Sequence, residues 1–195
     1  MTRRLFIAIN FTKNIREEMD DIAGETRLSL SGADKLKITQ PDDLHITLLF
    51  LGDKSDESII PVIDSLRGAL DGFPVSPLVE FDKVIFNPIA APNMAWISGT
   101  KKTSDDLSLL REELEKQLVK NGVWFKIDHK KFNAHITLAR FDNLTFQKSG
   151  LIKLPKIDRI SFYPESVDLV ESHPGNNKFE PKYEVLARVE FKKAF

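Results

Sequence analysis

Along this chain the spacing of apolar positions switches repeatedly between two residues and about 3.6, the periods of strand and helix. Residues 4–11 (RLFIAINF) form a short continuous apolar run and predict a buried strand. Ile15, Met19, Ile22 and Thr26, with Leu30 beyond, fall at helical spacing, with Thr12 or Asn14 as cap and Gly32 as stop. Lys37 and Ile38 offer a short strand. The turn Pro41-Asp42-Asp43 then delivers the chain into a strand over 44–51, closed by Gly52 and Asp53. Ile59, Ile60, Ile63, Leu66 and Leu70 predict a second helix, capped from within 55–58, with Pro61 tolerated in its first turn and Gly72 and Pro74 ending it. Residues 78–86 and 94–99 read as paired strands across a loop at 87–93. A third helix opens at Thr103 or Ser104 with Asp105 and Asp106, carries the stripe Leu107, Leu110, Leu114 and Leu118, and ends at Gly122. Strands follow over 132–141, 157–162, 166–172 and 182–191, with a loop at 173–180.

One tetrapeptide interrupts this ordinary pattern by appearing twice. His45-Ile46-Thr47-Leu48 recurs as His135-Ile136-Thr137-Leu138, and the chain has only four histidines. In an extended strand, residues i and i+2 share a face, so each His–Thr pair points one way. Ile46, Leu48 and Phe50, like Ile136 and Leu138, then point the other way. The same shift of ninety positions aligns Ile7 with Ile97, Glu25 with Glu115, Leu28 with Leu118, Gly32 with Gly122, and Phe6 with Trp96 as an aromatic match. Strand, helix, glycine and histidine strand thus recur in one order. This predicts an internal duplication within one domain over 1–195: two lobes related by a pseudo-twofold axis, with helices segregated from sheets.

Composition narrows the chemistry. The chain has 195 residues, 42% of them hydrophobic, which is enough for a real core. Its net charge of −1 provides no basic excess for gripping a long nucleic-acid backbone, so contact with RNA is expected at an end or a single linkage. Cysteine is absent, which removes disulfides, thiolate catalysis and cysteine zinc sites. No apolar run reaches membrane-spanning length and no signal peptide is legible, so a cytoplasmic protein is expected.

Two histidines facing one substrate can divide acid and base work near neutrality. One takes a proton from an attacking water while the other gives a proton to the departing oxygen, which suits in-line displacement at phosphorus. The threonine hydroxyl two residues on can hold a phosphoryl oxygen as charge builds there. A metal site is the rival reading. Two histidines are few for zinc, and His129, His173, Asp42, Asp43 and Asp128 are the further groups on offer, without an HExxH or His-x-His pattern. No metal or cofactor is expected. Phe11 is a candidate for stacking a base at the cleft edge. Trp96 and Trp124 read as core, and His173 as solvated.

These residues carry a resemblance. The paired H-x-T-x motifs, the opening RLFIAINF, the extended HITLLFLG, the HITLAR and the late LVESHPGNNKFEPKYEVLARVEF resemble the two-histidine phosphoesterase superfamily, and within it the RNA 2′,3′-cyclic phosphodiesterases, also called 2′–5′ RNA ligases. The resemblance implies hydrolysis of 2′,3′-cyclic phosphate ends to 2′-phosphates without metal, and a reversible 2′–5′ ligation. It implies His45 as proton donor to the leaving oxygen, His135 as base, and Thr47 and Thr137 as phosphate contacts. Arg140 matches the arginine that closes the second motif and implies a phosphate or base contact. Strand parity, however, sets Arg140 on the face opposite His135. Where that family often has proline before the second motif's histidine, this chain has Ala134.

The expected fold is α+β: two pseudo-symmetric lobes with antiparallel sheets lining a central cleft and helices packed outside. The expected partners are RNA 3′ ends or small nucleotides bearing a 2′,3′-cyclic phosphate, bound by a monomer. A nucleotide-binding module without turnover stays open as an alternative. So does the same chemistry on 2′–5′ oligoadenylate, ADP-ribose cyclic phosphate or a 3′ oligouridine tail.

Overall fold

The switches of period become nine strands and three long helices in the computed structural model, which describes residues 2–73, 75–127, 131–142, 153–173 and 182–192. In chain order these are β1 (Thr2–Asn10), α1 (Lys13–Ser29), β2 (Lys37–Ile38), β3 (His45–Ser55), α2 (Ile59–Asp71), β4 (Val79–Asn87), β5 (Met94–Gly99), α3 (Lys101–Lys120), β6 (His135–Arg140), β7 (Ile160–Phe162), β8 (Ser166–His173) and β9 (Lys182–Glu190). They form two sheets, one of four strands in the order β3-β1-β8-β9, the other of five in the order β2-β6-β5-β4-β7. Every strand pair is antiparallel. The fold is the expected α+β arrangement of two lobes.

Each sheet offers one apolar face to a shared core. Leu5, Ile7 and Ile9 of β1, Val167 and Leu169 of β8, and Ile97 and Ile136 of the other sheet are buried there with the leucine stripe of α3. Leu107, Leu110, Leu114 and Leu118 have no solvent exposure, so the helical spacing found the correct face. The cap lies earlier than the sequence suggested. Thr100 accepts a bond from the Thr103 N–H, so the helix starts at Lys101. At its other end Gly122 has φ +70°. There the Gly122 N–H reaches the Val119 carbonyl and the Val123 N–H reaches Leu118, which satisfies two terminal carbonyls. Gly32 plays no such part, because α1 already ends at Ser29 with Leu30 as its cap.

The first histidine strand is longer than the sequence suggested. Gly52 does not close it but continues it with φ +76°, opposite Leu5, in a bulge where Leu51 is the extra residue. The pairing resumes and runs to Ser55.

Candidate active site

The two histidine strands carry the same irregularity at the same place. Ala8 pairs with Thr47 and Ile7 with Leu49, which leaves Leu48 as an extra residue. Trp96 pairs with Thr137 and Ala95 with Ala139, which leaves Leu138 extra in the same way. A bulge of one residue reverses the alternation of side chains beyond it. Leu48 and Leu49 are therefore both buried, as are Leu138 and Ala139. Phe50 and Arg140 emerge on the face of the histidines and threonines. This corrects two readings by parity: Arg140 is not opposite His135, and Phe50, 65% exposed, is not on the core face.

Each histidine is fixed by the same local device. The carbonyl oxygen two residues before it, Asp43 for His45 and Asn133 for His135, lies 2.7 Å from Nδ1. A carbonyl only accepts, so Nδ1 holds the proton in both neutral rings. Nε2 is left on each as the working nitrogen. That of His45 meets the Thr47 hydroxyl at 3.1 Å. Thr137 is half-buried on the corresponding face beside His135.

What precedes His135 is also held. Ala134 donates its N–H to Ser104 Oγ at 3.1 Å, in the first turn of α3, a bond that a proline could not make. The Ala134 carbonyl accepts from the Gly99 N–H at 2.8 Å. A side chain at Gly99 would meet the Ala134 Cβ at 2.9 Å, so this close approach needs glycine.

Strands β3 and β6 touch across the cleft. Burial pushes the His45 pKa below its ordinary value, the bond to Asp43 opposes this, and charge on His135 lowers it further. Burial likewise lowers that of His135, with the Asn133 bond opposing and the Arg140 charge adding to the fall. The walls that do this are aromatic. The Trp96 ring stacks on His135 at 3.7 Å and 20°. Phe6 lies 5.0 Å from His45, and Tyr183 presents an edge to it at 5.1 Å. Tyr183 is distant in sequence and was not singled out there.

Other candidates fall elsewhere. Phe11 is 5% exposed and packs edge-on against Phe162, so it is a core residue and not a stacking platform. Trp124, expected in the core, is 78% exposed, with the Lys54 ammonium 5.6 Å above its ring. Trp96 is neither deep core nor cofactor contact but part of the site. Asp42 is bound to Arg16 at 2.6 Å. Among the described residues, the group with metal-ligand spacing is Glu171, His173 and Glu184, on β8 and β9. Asp128, His129 and most of the 173–180 loop lie outside the described residues.

Two sheets, each carrying one histidine strand with its imidazole pinned in the same way, are the arrangement that the repeated motif predicts. Residues 9–82 match the family model of the LigT-like phosphoesterases. The RNA 2′,3′-cyclic phosphodiesterase of Archaeoglobus fulgidus is 35% identical over 138 residues, 70% of this chain and 72% of that protein. A protein of the same name from Methanocaldococcus jannaschii is 26% identical over 192 residues, 94% of this chain and 98% of its own. Escherichia coli LigT in complex with 3′-AMP shares the fold with a TM-score of 0.71, at 22% identity, covering 99% of this chain and 100% of that one. The chain belongs to the LigT-like family of two-histidine phosphoesterases. Among the described residues no helix is long and apolar enough to cross a membrane.

Proposed function

We propose that the protein hydrolyses 2′,3′-cyclic phosphates at RNA ends or on small nucleotides to 2′-phosphates, without a metal. The observation that supports this reading is the matched pinning of the two imidazoles, which ties Nδ1 of each to a backbone carbonyl and leaves Nε2 for proton transfer. His135 takes a proton from water as its oxygen attacks phosphorus. The bond from phosphorus to the 3′ oxygen breaks, and His45 gives that oxygen its proton, leaving a 3′-hydroxyl and a 2′-phosphate. The assignment of acid to His45 and base to His135 comes from the family resemblance. Thr47 and Thr137 hold the non-bridging oxygens, Arg140 adds a charged contact, and Phe50 offers its exposed ring to the base. With a 5′-hydroxyl in place of water, the same displacement forms a 2′–5′ linkage, and its reversal cleaves that linkage back to the cyclic phosphate and a 5′-hydroxyl.

The LigT-like relatives named for this activity support the substrate class. The paired bulges at Leu48 and Leu138 support an internal duplication within a single domain. Asn10 opposes His45 as Ser98 opposes His135, so the partner strands correspond at a shift of eighty-eight while the histidine strands keep ninety.

Incubation with a nucleoside 2′,3′-cyclic phosphate and a short RNA bearing the same end, in EDTA, tests the reading. The expected product is 2′-phosphate. The absence of hydrolysis from either substrate, with tight binding retained, would replace it by a nucleotide-binding module.

A further inference from the structure

Nine arginines occur in the chain. Six are held by carboxylates: Arg3, Arg16, Arg67, Arg111, Arg159 and Arg188. Of the other three, Arg27 sits in the last turn of α1, where a cation answers the helix dipole. Arg140 stands beside His135. The third is Arg4, exposed on β1 and without an ion pair among the described residues, although Asp53 is its cross-strand neighbour.

A lone surface arginine says little; the position of this one says more. Arg4, Phe6, Ala8 and Asn10 alternate onto one face of β1. Phe6, Ala8, Val170 and Tyr183 pack together on that face, apart from the main core. The Phe6 ring lies 5.3 Å from Tyr183 and 5.0 Å from His45. From the reacting centre outward, this face therefore presents His45, then Phe6 with Tyr183, then Arg4. Glu171 of β8 pairs with Leu5, and the next residue, Ser172, pairs with Tyr183, so the tyrosine lies level with Arg4 two strands across the sheet. Burial and the Asp43 charge raise the Tyr183 pKa, while the charges on Arg140 and Arg4 act the other way.

We propose that Arg4, with Tyr183 beside it, forms a second subsite that binds the phosphodiester on the 5′ side of the terminal nucleotide. The protein then selects single-stranded RNA ends over free cyclic mononucleotides. This rests on the cyclic phosphodiesterase reading. A cyclic mononucleotide carries one phosphate, which the histidines occupy, and leaves Arg4 nothing to bind. A strand supplies the next phosphate, which a guanidinium can grip through two parallel bonds, and another base for the tyrosine ring. With a net charge of −1 the chain has no basic excess, so strand recognition has to come from such a local contact.

The test compares kcat/KM on a short RNA with a 2′,3′-cyclic end and on the nucleoside 2′,3′-cyclic phosphate of the same terminal base. Wild type, Arg4→Ala and Arg4→Lys are measured at several salt concentrations, with melting curves to establish folding. Wild type should prefer the RNA. Arg4→Ala should lose about tenfold more on RNA than on the mononucleotide, mainly through KM, and its salt slope on RNA should fall by about one. Arg4→Lys should restore part of the loss. Equal losses on both substrates would overturn the subsite, as would a wild type that turns over both without preference; in either case the hydrolysis reading survives. A wild type that hydrolyses neither would overturn that reading and the subsite with it.

Discussion

Phe50 stands in one histidine strand where Arg140 stands in the other. Each follows its histidine by five positions, and each is brought back to the face of the histidine by one extra leucine. The two lobes thus present different tools at matching places, an aromatic plane and a cation. Phe50→Ala should leave stability within about 0.5 kcal/mol, because the ring is largely exposed. It should raise KM for nucleotides about 5- to 100-fold, the worth of one stacked base. An unchanged KM would show that the base lies elsewhere.

Arg140 donates to the Met94 sulfur at 2.9 Å, a weak acceptor that a phosphate oxygen would readily displace. Arg140→Ala should lower kcat/KM about 10- to 100-fold. Lysine should recover only part, since it lacks the planar fork. Full recovery by lysine would reduce the role of Arg140 to that of a point charge.

His45→Ala and His135→Ala should each lower kcat by about 100- to 10,000-fold while the far-ultraviolet spectrum and melting temperature stay near wild type. The double variant should be little worse than either single one, because the two rings act on one displacement. Losses that multiply in the double variant would mean independent roles.

Burial depresses both histidine pKa values, so the bell of kcat/KM should lie on the acid side of about 6.5. Tyr183→Ala opens the wall beside His45 and lets water in. The limb that His45 controls should then move to higher pH, whereas Tyr183→Phe should leave it in place. The sign for stability follows from the same shift. With the folded pKa below the unfolded one, the unfolded chain binds more protons as pH falls from about 6.5 toward the folded value, and stability is lost over that interval. A limb unmoved by Tyr183→Ala would show that other groups keep His45 dry.

Asp168 is fully buried and accepts from Asn10 at 2.7 Å, Ser166 at 2.9 Å and Arg188 at 2.9 and 3.0 Å. Arg188→Ala leaves this carboxylate without a cation and should cost about 3–5 kcal/mol. Asp168→Asn should cost less, because Arg188 is half exposed and can turn to water. Urea midpoints for the two variants decide it, and the reverse order would contradict this account.

Much of this architecture could be read from period alone. The stripe of α3, the turn at Pro41 and the strand at Met94–Gly99 all lie where the spacing put them, because one face of each element is buried and the other wet. The histidines and threonines stood out through repetition. What parity missed was a single residue per strand. The adjacent apolar pairs Leu48-Leu49 and Leu138-Ala139 are the trace a bulge leaves in an alternating strand, and they would have placed Phe50 and Arg140 correctly. Phe11 and Trp124 were misplaced for a different reason: an aromatic at an element's end packs inward or outward according to neighbours that only the fold supplies. Tyr183 reaches His45 across two intervening strands, a proximity that no local pattern encodes.

Strand β2 sits between β1 and β3 in sequence yet pairs with β6, through Lys37 with Arg140 and Ile38 with Ala139, while the Thr39 N–H reaches the Leu138 carbonyl at 2.8 Å. Helix α1, which follows β1, also rests against β6. The first lobe's chain is thus stitched into the second lobe's sheet beside the second histidine strand. Spreading the lobes would tear backbone pairs that hold His135 and Arg140 in register. The sheet that carries the second histidine is therefore completed by chain from the first lobe, so the register of His135 depends on both halves of the sequence.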